Sequence, residues 1–236
     1  MSKRAIILAG GKGTRLRPYT WVLPKPLMPI GEHPILEIII KQLVSHGFSQ
    51  ITLAVNHQAE LIKAFFGNGE KWNITIDYSL EDKPLSTMGP LKLIHALPEN
   101  FLVMNGDILT DLDFSKFYEE HASKENIFTI SSYVREHIND YGVLEKDSQG
   151  KLNGFREKPR TRFEVSMGIY MASDRILPFI PEGVPYGFDT LMLDLIIAEK
   201  PATVKEHQGY WLDIGRPDDY HQAIEKFDED KEFFIK

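Results

Sequence analysis

The stretch AIILAGGKGTRLRPYTWVLPKP, residues 5–26, decides the fold. Its first six residues, AIILAG, form an unbroken apolar run that is too short for a helix and closes on glycine, which is the pattern of a strand buried on both faces. Glycines at 10, 11 and 13 leave backbone N–H groups open just where that strand ends. No Gly-Lys-Ser/Thr triplet makes this a P-loop, and the third glycine of a dinucleotide fingerprint is replaced by Leu16. A phosphate-binding loop of another kind remains, with Arg15 as a planar fork and Lys25 as a compact point charge.

Further along the chain, Pro34 opens a helix whose apolar face is Ile35, Leu36, Ile38, Ile39 and Leu43, and Gly47 ends it. ITLAVN (51–56) reads as a strand, Glu60 to Phe66 as a helix and NITIDYS (73–79) as a strand leading to a loop from Glu81 to Pro84. FLVMN (101–105) is a buried strand stopped by Gly106 and Asp107. The β-α-β-α-β order predicts an α/β fold, a mostly parallel central sheet with helices on both faces, because parallel neighbours need crossover connections. Ligands in such sheets bind beyond the carboxyl ends of the strands, where Gly10 and Asp107 both fall. Residues 127–134, 142–146, 151–157 and 164–171 read as strands of a smaller, partly antiparallel region, with helices at 189–198 and 217–227. The final FDEDKEFFIK is expected to fray.

The 236 residues are 42% hydrophobic, enough for a substantial core, and no apolar run approaches the roughly 20 residues that cross a bilayer. The apolar stretch after Lys3 and Arg4 runs into glycine too soon for a secretory signal. Without cysteine there is no disulfide framework and no thiol nucleophile, and a reducing, cytoplasmic location is expected. Net charge is -7, yet residues 1–31 hold Lys3, Arg4, Lys12, Arg15, Arg17 and Lys25 and no acid. An acidic protein with one basic, glycine-rich corner points to a compact anionic ligand rather than to a nucleic acid. The eight histidines show no zinc pairing, and no Gly-x-Ser-x-Gly elbow is present.

LAGGKGTRLRPYTWVLPKP (8–26) resembles the signature of the sugar-1-phosphate nucleotidyltransferases. The resemblance continues in order through EDKPLSTMGPL (81–91), FLVMNGDIL (101–109), YGVLE (141–145), FREKP (155–159), SMGIYM (166–171) and GYWLDIGRPDDY (209–220). It implies a Rossmann-like, GT-A-like fold, read here as one domain over 1–236 with a nucleotide-binding half (about 1–125) and a sugar-phosphate-binding half (about 126–236). By the resemblance, Leu8, Ala9, Gly10, Gly11, Gly13, Thr14 and Arg15 wrap the nucleotide, and Arg15 and Lys25 are the catalytic cations at the reacting phosphates. Glu81 and Gly89 belong to the base-reading loop, and Asp107 and Asp213 hold Mg2+. Gly142, Glu157, Lys158, Ser166 and Gly168 face the sugar phosphate. Both Glu157 and Lys158 can reach one ligand only if the chain turns at Pro159, since a strand sends adjacent side chains to opposite faces.

The implied reaction is in-line transfer of a nucleoside monophosphate from an NTP to a hexose, hexosamine or heptose 1-phosphate, with release of pyrophosphate. Glu81 favours GTP, because guanine offers N–H donors to a carboxylate, and short mannose or amino-sugar guanylyltransferases look nearest. The implied partners are the two substrates, with no nucleic acid and no membrane, and with a homodimer left open. Cytidylyl- or thymidylyl-type transfer to another sugar, polyol or choline phosphate is the competing enzyme reading, and a nucleotide-sensing subunit without catalysis the competing class. Two departures from the family bear on the substrate: Ser86, Thr87, Met88, Gly89 stand where many relatives have Gly-Thr-Ala-Gly, and Ser166, Met167, Gly168 where mannose-type relatives have Asn-Ala-Gly.

Overall fold

The computed structural model describes residues 2–56, 58–200 and 202–235. In chain order the strands are β1 (Lys3–Leu8), β2 (Pro29–Ile30), β3 (His33–Pro34), β4 (Phe48–Val55), β5 (Thr75–Leu80), β6 (Asn100–Asn105) and β7 (Ile108–Thr110). They continue with β8 (Phe128–Ile138), β9 (Val143–Lys146), β10 (Leu152–Arg156), β11 (Arg160–Ser173), β12 (Thr203–Glu206) and β13 (Trp211–Asp213). The α-helices are α1 (Ile35–Ser45), α2 (Ala59–Phe66), α3 (Phe114–Ser123), α4 (Phe188–Ile197), α5 (Pro217–Glu229) and α6 (Lys231–Phe234).

One seven-stranded sheet, in the order β12-β8-β11-β6-β1-β4-β5, carries the fold. β1 pairs in parallel with both β4 and β6, β4 with β5, and β8 with β12; β11 alone is reversed, running antiparallel to β6 and β8. The mostly parallel sheet and the antiparallel second half are thus both present. β1 is central because Ala5, Ile6 and Ile7 are fully buried, and each buried isoleucine contributes about 2–3 kcal/mol. One face packs on α1, α2, α3, α5 and α6 around Ile39, Phe48, Phe117 and Phe227, and the other on α4 and 3-10 turns around Phe101, Phe128, Tyr170 and Leu191.

Three departures from the sequence reading have physical causes. α3 follows Asp113, whose side chain accepts from the Lys116 N–H at 2.9 Å and so caps the helix, while Phe114, Phe117 and His121 form its buried face. β12 is four mostly exposed residues at the sheet edge, and its pairing with β8 alone makes it a strand. The carboxyl-terminal stretch does not fray through Ile235: Phe234 is 1% exposed and stacks on Phe227, their ring centroids 6.1 Å apart.

The basic N-terminal segment is also divided. Arg4 lies inside the sheet, donating to the Thr52 hydroxyl (2.8 and 3.0 Å), the Asp77 carboxylate (2.8 Å) and the His95 and Ala96 carbonyls (3.2 and 3.1 Å). Lys3 lies over the Tyr118 ring, 5.2 Å from its centroid, and pairs with Glu119. Neither lines the cleft described next, so the basic corner is smaller than the charge count suggested.

Candidate active site

A cleft of about 480 Å³ opens beyond the carboxyl ends of β1, β4 and β6. Leu8, Gly10, Gly11 and Lys12 form one wall, Asn56, Asn105 and Asp107 the strand ends, and Glu81, Pro84, Ser86 and Thr87 the opposite wall. Strands that end in register leave their last polar side chains on one rim, so the position of the cleft follows from the parallel pairing.

Of the residues expected to hold a nucleotide, Leu8, Gly10, Gly11, Glu81 and Asp107 line this cleft. Ala9 extends the sheet, its N–H donating to the Ala54 carbonyl at 2.8 Å. Gly13, Thr14 and Arg15 make the outer turn of the loop, anchored by the buried Leu16. Gly13 is held at φ 58, and any β-carbon there would lie 2.8 Å from the Thr20 methyl, so this glycine is a requirement of the turn itself. Thr20 secures the same turn by donating to the Gly13 carbonyl at 2.7 Å. Gly89 is buried beneath Leu85 and the Val184 carbonyl and supports the loop after β5 from behind.

At the β6 end of the cleft, Lys25, 9% exposed, pairs with the Asp107 carboxylate. Asp213 joins from the far end of the sequence, because β13 pairs antiparallel with β7 in a register that sets Asp213 opposite Ile108. The Ile214 N–H donates to the Asp107 carbonyl at 3.0 Å, locking the two aspartate segments together. Arg15 lies over Gly215, where a β-carbon would be 3.2 Å from its guanidinium nitrogens. Burial and then the Asp107 charge hold the Asp213 carboxyl above the usual carboxylate range, while Lys25 and Arg15 pull it back. These four side chains therefore share one electrostatic site.

A carboxyl raised by a neighbouring carboxylate suits a cation, and Asp107 Oδ1 is buried without a partner among the described residues. Hard oxygen donors match Mg2+, and no third acidic, His or Cys side chain among the described residues completes a cluster, so phosphate and water would supply the other ligands. The residues fit the group.

The residues assigned to the sugar phosphate are less gathered. Glu157 and Lys158 lie in the turn between β10 and β11, Lys158 at φ 42, so the chain does turn there. Gly142 lies against the Phe155 ring and the Glu157 carboxylate. Gly168, at φ 73, lets the irregular part of β11 approach the Asn105 side chain, which a β-carbon would meet at 2.5 Å. Ser166 turns to a second groove of about 420 Å³ beside Phe188 and Met192, donating to the Tyr170 hydroxyl at 3.0 Å and accepting from the Gly168 N–H. Gly142, Glu157 and Lys158 do not line the main cleft.

Asn56 and Asn105 were missed by the sequence reading. Each ends a buried strand, in ITLAVN and FLVMN, the same signal that marked Asp107. Asn56 Nδ2 donates to the Glu81 carbonyl at 2.8 Å and holds the loop after β5 to β4. Glu81 Oε2 accepts from the Leu85 N–H at 2.9 Å, and burial pushes its carboxyl up.

Residues 4–230 match the nucleotidyl transferase family model. The chain is similar to a UTP–glucose-1-phosphate uridylyltransferase from Synechocystis sp., 36% identical over 94% of this chain and 62% of that protein. It is also similar to a mannose-1-phosphate guanyltransferase from Hypocrea jecorina, 33% identical over 92% of this chain and 62% of the relative. The chain thus spans less than two thirds of the length of these curated relatives. Among solved structures, HddC from Yersinia pseudotuberculosis complexed with GMP-PN superposes with a TM-score of 0.71, at 29% identity over 95% of this chain and 99% of that one.

Proposed function

The chain belongs to the nucleotidyl transferase family, and on that premise we propose that it transfers a nucleoside monophosphate from an NTP to a sugar 1-phosphate, releasing pyrophosphate. The observation that carries the reading is the grouping of Arg15, Lys25 and Asp213 around Asp107, which lines one end of the cleft of about 480 Å³.

The acceptor phosphate oxygen attacks the α-phosphorus, and the bond from that phosphorus to the oxygen bridging the β-phosphate breaks. A phosphate monoester is already a competent nucleophile, so the protein needs no attacking side chain of its own. Its task is alignment, which can contribute roughly 7–11 kcal/mol, and relief of repulsion between two anions. Gly10 and Gly11 leave main chain open to the triphosphate, Lys25 neutralises charge at the α-phosphate, and Arg15 follows charge onto the departing pyrophosphate. Asp107 and Asp213 would hold Mg2+, which when bound orients the phosphates and neutralises their charge. Gly142, Glu157, Lys158, Ser166 and Gly168 form the acceptor side in this reading, with Glu157 on sugar hydroxyls and Lys158 on the phosphate.

GTP is the favoured donor. Glu81 offers guanine an acceptor, and a guanyltransferase relative and a GMP-PN complex stand among the similar proteins. A grid of nucleoside triphosphates against hexose, hexosamine and heptose 1-phosphates, scored by magnesium-dependent pyrophosphate release, tests the proposal. Turnover with at least one pair is expected. Triphosphate binding without turnover on any acceptor would overturn it in favour of a sensing subunit, and turnover only on polyol or choline phosphates would move the acceptor class.

A further inference from the structure

β7 and β13 make a separate two-stranded sheet of only three residue pairs, and Asp107 precedes β7 while Asp213 ends β13. The Asp107 charge works against Asp213, so without a cation the two segments repel at the cleft end. A sheet this short has little of its own to resist with. Leu212, 4% exposed, fixes which face of β13 turns inward, but a shift by two residues would keep that face and carry Asp213 about 7 Å along the strand. Something must therefore hold β13 along its length.

The other end of the sheet supplies the hold. The Asp111 N–H donates to the Tyr210 carbonyl at 3.2 Å, and the Tyr210 N–H donates back to Asp111 Oδ1 at 2.7 Å. The same Oδ1 lies 2.6 Å from His207 Nε2; a carboxylate only accepts, so the ring proton sits on Nε2. The His207 N–H in turn donates to the Ser132 carbonyl of β8 at 2.8 Å, which ties the clamp to the main sheet. Thr110 Oγ1 also donates to the Tyr210 carbonyl, at 2.8 Å, and the Thr110 carbonyl accepts from the buried Gln42 side chain of α1. Gly209 completes the fit, because a β-carbon there would run into the Asp111 carboxylate. Trp211 shares the task, its indole N–H donating to the Met167 carbonyl of β11 at 3.0 Å. Neither Asp111 nor His207 is among the residues that line the main cleft.

We infer that Asp111 is a positioning residue for the transfer site: through Tyr210 and His207 it sets β13 in register and so holds Asp213 beside Asp107 before a cation binds. The inference rests on the metal role proposed for the two aspartates and adds to it the part of the chain that keeps them together. Ligands gathered in advance spare a bound ion the cost of gathering them, so the clamp acts on metal affinity rather than on the chemical step.

Three substitutions in the full chain separate geometry from charge. Asp111→Ala removes both, Gly209→Ala keeps the charge and displaces the carboxylate, and Asp111→Asn loses the charge but keeps an Oδ1 that can accept from Tyr210 and His207. Mn2+ titration followed by electron paramagnetic resonance, alone and with GTP, reads the metal directly, and thermal melting reads the fold. Asp111→Ala and Gly209→Ala are expected to bind Mn2+ about tenfold more weakly than wild type, and Asp111→Asn within about twofold of it. In turnover the half-saturating Mg2+ concentration rises by the same factor in the first two, while kcat at saturating Mg2+ stays within about twofold. Equal Mn2+ affinity in all the variants and wild type would overturn this inference alone, whatever the melting temperatures, since Asp111 would then serve stability only. Equal weakening in Asp111→Asn and Asp111→Ala, with Gly209→Ala unaffected, would overturn it in favour of a long-range charge effect. If wild type binds no Mn2+ in either condition, the metal role of Asp107 and Asp213 fails and takes this inference with it.

Discussion

Arg4, inside the sheet, and Arg15, on its carboxyl rim, belong to the same basic segment but are held in opposite ways. Every direction around Arg4 is filled by Thr52, Asp77 and the His95 and Ala96 carbonyls, so its charge is satisfied by the protein. Arg15 is exposed over Gly215, beside an Asp107 whose Oδ1 is buried without a partner among the described residues and an Asp213 whose carboxyl is raised by burial and then by the Asp107 charge. The interior of the sheet completes its polar groups, and the rim leaves them incomplete. Incomplete, pre-positioned groups are what a charged ligand needs.

The largest expected effect sharpens this contrast at the rim. Asp213→Asn should lower magnesium-dependent pyrophosphate release by about 10³-fold or more, while the melting temperature holds or rises because a desolvated charge beside Asp107 is gone. A large fall in Tm, or retained activity, would show that the rim is built for stability after all.

The two arginines should then give crossed results. Arg4→Met is expected to cost about 3–5 kcal/mol in denaturant unfolding, because Asp77 and two carbonyls lose their partner, with activity per folded molecule kept. Arg15→Ala should lower kcat about 10²-fold with unfolding unchanged within about 0.5 kcal/mol.

His121 extends the comparison to pH. It is 1% exposed, its Nδ1 lies 2.8 Å from the Thr129 hydroxyl, and burial, with Arg175 nearby, lowers its pKa from 6.5 to about 4. A histidine depressed in the folded state binds its proton more readily when unfolded. Its contribution is therefore complete above pH 6.5 and disappears as pH falls from 6.5 towards 4, by about 3 kcal/mol in all. Unfolding free energy measured across this window should fall less steeply in His121→Leu than in wild type.

The smallest effect concerns the acceptor side. Glu157→Gln should raise KM for the sugar phosphate about tenfold and leave triphosphate binding unaltered. A change in triphosphate binding would join the two sides into one site.

Much of the main cleft was legible in the residues. AIILAG, ITLAVN and FLVMN show their burial by continuous apolarity, and parallel pairing then sets their ends on one rim, so Gly10, Gly11 and Asp107 could be placed together beforehand. α3 was legible too, through the Asp113 cap and its apolar spacing, although the reading passed over it. The division of the basic segment was not, because local sequence does not distinguish an arginine filled by Asp77 from one left open.

What the sequence determined by itself was the alternation of buried strands and amphipathic helices, since periodicity and burial are local properties of the chain. What only the tertiary structure decided was which distant groups meet. Asp213 reaches Asp107 through the pairing of β13 with β7, and Ser86 is held in its left-handed conformation by Tyr186 and Phe188. Register between remote strands and strain imposed by remote partners depend on how the whole chain packs, so no window of sequence contains them.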